Sequence, residues 1–190
     1  MPKECRMTNG DRLTLDHSSF RATRAFTVVE ILVVMTIILV LAGLVLATSS
    51  YVHNKGARSR AEAEIAAMSA ALENYKADNG VYPNDISVDA RLNLDPSAYA
   101  AACLTLYKSL SGDGDLNRQT DSGAKSYMAF KDNQLSPATG NVAYIKDPFG
   151  NCYGYSTVFQ SNTAKGYNPT FDLWSTAGST TSSSGWIKNW

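Results

Sequence analysis

The sequence predicts an α+β protein with one long N-terminal helix and a small antiparallel β-sheet head. Three observations predict this class: an almost purely apolar run over residues 26–47, a helix-spaced apolar stripe after it, and a turn-rich remainder with short aromatic and β-branched segments. The chain has 190 residues, enough for one modest domain. Its 17 Lys and Arg balance its 17 Asp and Glu, so no basic excess predicts a nucleic-acid partner.

The apolar run predicts a membrane-spanning segment over residues 26–48. Of the 22 residues in the run 18 are apolar, and the exceptions are Thr27, Glu30, Thr36 and Gly43. As a helix it would measure about 33 Å, enough to cross a bilayer core. It is longer than the apolar region of a secretory signal peptide and more uniformly apolar than a buried core helix.

The charges that flank the run predict its orientation. Residues 1–25 carry five basic residues against three acidic ones, and Arg21 and Arg24 lie just before the run. The positive-inside rule then places the N-terminus in the cytoplasm and the chain after about residue 50 outside. The basic residues within 55–60 oppose this orientation, but polar residues separate them from the apolar run.

Glu30 lies about one helical turn inside the apolar run. A carboxylate there costs on the order of 2.5 to 3.5 kcal/mol on insertion-type scales, so it needs a partner. One interpretation is that Glu30 reaches back to interfacial water. The other is that it pairs with a cation at the same depth, such as a new N-terminal amine made by cutting the chain before Phe26.

The stripe after the apolar run predicts that the helix continues. Its apolar residues recur at spacings of three, four and three. No proline occurs between Pro2 and Pro83, and Asn79-Gly80 is a typical helix stop. One helix of about 81 Å is therefore predicted over residues 26–79. The residues of the stripe are Ile65, Met68, Leu72 and Tyr75.

Residues 80–190 are predicted to form the head. A short helix is predicted over residues 97–110. Residues 147–150, with Pro second and Gly fourth, predict a tight turn between two strands. A small antiparallel sheet packed on the helix follows from this pattern. The strand candidates are residues 127–130, 142–146, 152–159 and 171–174.

The stretch from Arg24 to Met35, RAFTVVEILVVM, resembles the cleavage and methylation segment of type IV prepilins and type II secretion pseudopilins. The resemblance implies that residues 1–25 are a leader with a basic flank at Arg21 and Arg24. It implies cleavage between Ala25 and Phe26 and N-methylation of Phe26. It also implies that Glu30 pairs with the Phe26 amine of a neighbouring subunit. Ala25 stands where the family strongly prefers Gly.

A second resemblance narrows the first. Residues 144–155, 171–175 and 187–190 resemble the hairpin, final strand and terminus of the major pseudopilin of type II secretion, and residues 79–83 resemble its linker after the long helix. The implied fold is a pilin-like lollipop. The implied role is mechanical rather than enzymatic: a subunit of a helical pseudopilus that helps drive protein export across the outer membrane.

That role implies partners and a location. The partners are further copies of the chain, other pseudopilins, prepilin peptidase, the inner-membrane secretion platform and membrane lipid. The location is the inner membrane, crossed once with the N-terminus cytoplasmic and the head periplasmic. The alternatives are a type IV pilin used in adhesion or motility, and a membrane-anchored binding module that does not polymerise.

The resemblance also implies a calcium site in the loop after the final strand, made by Asp side chains and backbone carbonyls. Here residues 175–185 contain eight Ser or Thr among 11 residues and no carboxylate, so the usual acidic ligands are missing. Asp172 is the neighbouring candidate ligand. The alternative is a flexible or hydroxyl-bonded loop, in which Asp172 caps or faces solvent.

Residues 113–121 form a second calcium candidate, because their oxygens fall at alternate loop positions. The loop lacks the turn Gly, which is Arg118, and the bidentate Glu, which is Ala124. A solvated acidic turn is the alternative. The candidate ligands are Asp113, Asp115, Asn117 and Asp121.

The chain has three cysteines, Cys5, Cys103 and Cys152. If the leader is removed, Cys103 and Cys152 remain in an oxidising compartment, where a disulfide would close a loop of 50 residues counted inclusively. Two buried thiols are the alternative. With only two His, no Gly-rich phosphate loop and no nucleophile motif, the sequence predicts no enzymatic activity.

Overall fold

The computed structural model describes residues 26–92 and 94–190. The chain divides into two compact units, Met1–Val45 and Leu46–Trp190. Helix α1 (Val28–Asn79) contributes to both. The long helix predicted over residues 26–79 is therefore confirmed, with its first turn beginning two residues later.

In the first unit, residues 28–45 belong to α1 and are all exposed. By its length and composition, α1 has a segment apolar enough to cross a membrane. An exposed apolar helix surface of this extent needs lipid or protein to cover it.

In the second unit, α1 presents a buried face to the head. Ile65, Met68 and Leu72 of the predicted stripe are buried, and Tyr75 is half-buried against the same core. The helix ends where Gly80, at φ +79°, donates its N–H to the Lys76 carbonyl at 2.7 Å. Glycine adopts this left-handed conformation at little cost, which explains the position of the stop.

A 3₁₀ turn (Pro96–Tyr99) leads into helix α2 (Ala100–Ser111), which confirms the short helix predicted over residues 97–110. Asp95 caps the turn, because its carboxylate accepts the Ser97 N–H at 2.9 Å. The buried face of α2 packs in the same core as α1.

Five short strands complete the head, all in antiparallel pairs. β1 and β2 form one sheet, and β3, β4 and β5 form a second in that order. The α+β class, with a long helix and a small antiparallel sheet, is therefore confirmed, and β1 and β2 add a second sheet to the predicted one. The turn at residues 147–150 and a bridge between Lys146 and Cys152 lie between the two sheets in the chain. The strands are β1 (Leu135–Ser136), β2 (Tyr144–Ile145), β3 (Gly154–Ser156), β4 (Asp172–Ser175) and β5 (Ile187–Lys188).

The strand predicted over residues 127–130 is wrong. This segment is irregular, and the N–H groups of Tyr127 and Met128 both donate to the Leu110 carbonyl, at 2.8 and 3.0 Å. Those donors satisfy a carbonyl that the end of α2 leaves without a helical partner, so they do not join a strand ladder.

Two tyrosine hydroxyls, in and just before β3, form hydrogen bonds with α1 and with the segment that follows it. Tyr153 donates to Glu64 Oε2 of α1 at 2.6 Å, and Tyr155 donates to the Pro83 carbonyl at 2.6 Å. Both rings are buried. Each hydroxyl therefore has a partner inside the core, and a buried Tyr needs one.

Candidate functional site

The first turn of α1 is a reciprocal hydrogen-bonded cap. The N–H and the hydroxyl of Thr27 donate to Glu30 Oε2, at 2.8 and 2.9 Å. In return, Thr27 Oγ1 accepts the Glu30 N–H at 3.2 Å. This capping box holds the Glu30 carboxylate against the start of the helix, where the helix dipole favours a negative charge.

The sequence predicts two possible partners for the Glu30 carboxylate, interfacial water or a cation. The hydrogen bonds from Thr27 were not predicted. The signal was present, since Thr-x-x-Glu before an apolar run is the pattern of a capping box. Thr27 was instead counted as one of the polar exceptions in the run. Both bonds from Thr27 use Oε2, so Oε1 is the oxygen that can meet a further donor.

The predicted leader residues Arg21, Arg24 and Ala25 lie outside the described residues. Phe26, on the mature side of the predicted cut, is described and 77% exposed. It directly precedes the capping box, so an amine created at Phe26 would lie one residue from Thr27 along the chain.

The acidic loop brings three of its four predicted ligands together. The nearest carboxylate oxygens of Asp113, Asp115 and Asp121 lie within 4.8 Å of one another. Asn117 instead points its amide nitrogen at Asp115 Oδ2, at 2.8 Å, and its amide oxygen accepts the Gln119 N–H at 2.8 Å. The arrangement places carboxylates where a cation could meet them, and calcium binding stays a prediction.

Asp113 is the buried centre of this loop. Its Oδ2 accepts the Tyr107 hydroxyl and the Arg118 N–H, both at 2.7 Å, and its Oδ1 accepts the Asn117 N–H at 3.1 Å. Burial alone would raise the pKa of Asp113, but the bonds from Tyr107 and Arg118 outweigh it and lower the pKa. The carboxylate thus stays ionised and organises the loop around itself.

The backbone of this loop is strained where it wraps that carboxylate. Leu116 and Arg118 adopt φ of 68° and 74°, values that side-chain-bearing residues rarely take. Such conformations persist where surrounding bonds over-determine them. The Asp113 carboxylate supplies those bonds by accepting the N–H groups of Asn117 and Arg118.

Asp172, the other calcium candidate, is buried in β4 and caps a turn. Its two oxygens accept the N–H groups of Tyr167 and Asn168, at 2.9 and 2.8 Å. Burial raises the pKa of Asp172 despite these bonds. The capping alternative is therefore the one that the structure supports, and no solvent-facing role remains because the residue is only 1% exposed.

A buried carboxylate that sequence reasoning missed lies at Asp147. Its Oδ2 accepts the Ser175 hydroxyl at 2.5 Å, and its Oδ1 accepts the N–H groups of Phe149 and Asn151, at 3.0 and 2.9 Å. Asp147 therefore ties the turn after β2 to the end of β4. Burial raises the pKa of Asp147, and the bonds from Ser175 and Asn151 reduce that rise.

Wild type is expected to lose folding stability as pH rises through the titration of Asp147, and Asp147→Asn is expected to lack this loss. Because the folded pKa is raised, the folded chain binds more protons than the unfolded chain between the ordinary Asp value of about 3.9 and the folded value. The stability from this group is full below that window and falls as pH rises through it. Asparagine keeps the shape without the titration, since its amide nitrogen can donate to Ser175 Oγ.

Thermal unfolding of the full chain in detergent, from about pH 4 to 7, measures this effect. The stability of wild type relative to Asp147→Asn should fall across the range. A constant difference between wild type and Asp147→Asn would contradict the expected titration.

The predicted disulfide is not formed in the structure, where Cys103 and Cys152 are buried free thiols. Each sulfur has its own backbone partners. Cys103 Sγ donates to the Ile145 carbonyl at 3.5 Å and accepts the Ile145 N–H at 3.2 Å. Cys152 Sγ donates to the Pro96 carbonyl at 2.8 Å. The alternative of two buried thiols is therefore the arrangement observed.

No family model matches the chain, and neither the curated proteins nor the solved structures compared with it give a match.

Proposed function

We propose that the chain is a structural subunit of a type II secretion pseudopilus. In this proposal it is processed by prepilin peptidase and assembled through α1 into a helical fibre that helps drive protein export across the outer membrane. One observation carries it: residues 28–45 of α1 are exposed and apolar, and the one carboxylate among them, Glu30, is held in a defined position at the helix start.

The exposed apolar surface of residues 28–45 favours a subunit whose α1 is first covered by lipid and later by protein. In the membrane this part of α1 is covered by lipid, and lipid drives helix association only weakly. Outside the membrane the same surface needs burial against protein, and further copies of the same helix offer a matching apolar surface. Extraction of α1 from lipid is then favourable only together with assembly.

Glu30 favours the same proposal. Residues 26–52 contain no Lys, Arg or His, so no side chain of that stretch can neutralise the carboxylate. Thr27 occupies Oε2 and leaves Oε1 for an added cation. An N-terminal amine at Phe26 of a neighbouring copy has the required charge, and such a pair would set the stagger between subunits.

The remaining parts of the proposal follow from that role. The other partners are further pseudopilins and the inner-membrane secretion platform. The N-terminus lies in the cytoplasm and the head in the periplasm, as the basic residues before Phe26 favour. The role is mechanical and involves no catalysis by the head.

The intact mass and N-terminal sequence of the protein from its native membrane test the proposal first. A chain that begins at Phe26 with one added methyl group is expected. A chain that keeps residues 1–25 would overturn the proposal and favour the anchored binding module.

Glu30→Gln tests assembly separately from cleavage. The variant is expected to be cleaved but to form no sedimentable fibre, and export should fail with it. Thr36→Val is the matched control, since Thr36 bonds the Leu32 carbonyl of its own helix at 2.8 Å and carries no charge. Fibre formation by Glu30→Gln at the wild-type level would contradict the role of Glu30. Normal export with loss of a long surface fibre would favour the type IV pilin instead.

A further inference from the structure

The two thiols of the head differ in their access to solvent. Cys103 has 0% of its surface exposed, whereas Cys152 is 4% exposed and lines an open pocket of about 290 Å³. Pro96, Ala100, Tyr144 and Asn151 also line this pocket. A small apolar molecule that enters the pocket therefore meets Cys152 and does not meet Cys103.

The two thiols are also neighbours. Cys103 Sγ bonds Ile145, and the Ile145 carbonyl also accepts the N–H of Tyr153, the residue that follows Cys152, at 3.1 Å. Cys152 itself bridges Lys146, so the backbone holds the two thiols together. Burial, with the Cys152 thiol beside it, raises the pKa of Cys103 well above its ordinary value.

We propose that Cys152 is a modification site for small apolar disulfides and thiosulfonates, and that Cys103 is the resolving thiol behind it. Oxidation of the head then begins at Cys152, which the oxidant reaches through the pocket, and ends with the bond between Cys103 and Cys152. The inference is independent of the proposed function, because it depends on the head alone.

The two steps balance with a thiosulfonate as oxidant. Cys152 Sγ loses its proton to water and attacks the methylthio sulfur of methyl methanethiosulfonate. A mixed disulfide forms, the sulfur–sulfur bond of the reagent breaks and methanesulfinate leaves. Cys103 Sγ then attacks Cys152 Sγ, forming the Cys103–Cys152 bond and expelling methanethiol, which carries away the proton of Cys103.

The test treats the full chain in detergent with methyl methanethiosulfonate, in a Cys5→Ser background so that the third cysteine does not react. Intact mass and peptide mapping follow each sulfur. The chain with both thiols should lose two hydrogens and keep no methylthio group. Cys103→Ser should keep one methylthio group on Cys152. Cys152→Ser should react at Cys103 at about one tenth, or less, of the rate at which Cys103→Ser reacts at Cys152.

A pocket variant separates this route from reaction in an unfolded state. Ala100→Leu narrows the pocket and should slow the modification of Cys152. Ala101→Leu, at the exposed neighbouring position on α2, is the matched control and should react as the parent does. Three results would overturn the proposal: equal rates for Ala100→Leu and Ala101→Leu, modification of Cys103 first, or a stable methylthio adduct in the chain with both thiols.

Discussion

Gly154→Ala is expected to destabilise the head by about 3 kcal/mol or more, because the added methyl has no room. A Cβ at this position would lie 1.9 Å from Cε2 and 2.2 Å from Cζ2 of Trp174. Gly154 and Trp174 face each other in the register of β3 and β4. Trp174 cannot move aside easily, since the Tyr99 ring meets it edge-on at 5.2 Å and the Trp186 ring stacks on it at 5.9 Å.

Unfolding of the full chain in detergent, followed by tryptophan fluorescence, measures this effect. Gly56→Ala is the matched control: Gly56 lies inside α1 with nothing within 4 Å of an added Cβ. That change should stabilise the helix by about 1 kcal/mol. Trp174→Leu in the Gly154→Ala background should recover part of the loss, because it removes the clashing ring. Wild-type stability of Gly154→Ala would contradict the close contact between strand and ring.

Asp113→Asn is expected to cost on the order of 3 kcal/mol, although it keeps the size of the side chain. The carboxylate accepts three donors, from Tyr107, Asn117 and Arg118. An Asn offers one accepting oxygen, and its amide nitrogen would face at least one of those donors. The left-handed backbone at Leu116 and Arg118 would then lose part of its compensation.

The folding stability of Asp113→Asn as a function of pH tests this prediction independently. Because the folded pKa of Asp113 is lowered, its stabilisation is present above the ordinary Asp value of about 3.9 and is lost as pH falls through the folded value. Asp113→Asn should lack that acid-side loss, which wild type should show. Equal stability of Asp113→Asn and wild type at neutral pH would contradict the organising role of Asp113.

Predictions from the sequence were accurate where a repeating pattern dictates burial. The spacing of Ile65, Met68 and Leu72 predicted the face of α1 that the head covers, since one helix turn every 3.6 residues brings them onto one side. The stop at Asn79-Gly80 follows from local chemistry as well. Such features depend on near neighbours in the chain, which a sequence displays directly.

Predictions failed where the backbone N–H groups of a segment could bond either a neighbouring strand or another part of the fold. Residues 127–130 have the aromatic composition of a strand, but the N–H groups of Tyr127 and Met128 bond the carbonyl of Leu110 at the end of α2. The buried carboxylates show the same limitation: Asp147 and Asp113 were interpreted as turn or ligand residues, yet they accept hydrogen bonds from nearby backbone and more distant side chains. Composition does not indicate which distant donor a group will meet.

Periodicity and local stop signals are enough to predict the apolar run, the long helix with Glu30 near its start, and the α+β class of the chain. The position of Trp174 over Gly154, and a pocket lined by Cys152 with Cys103 behind it, are visible only in the folded chain. Each of these depends on the placement of side chains in three dimensions. Close packing and the need to satisfy every buried polar group select that placement, and both act between residues that can be far apart in the chain.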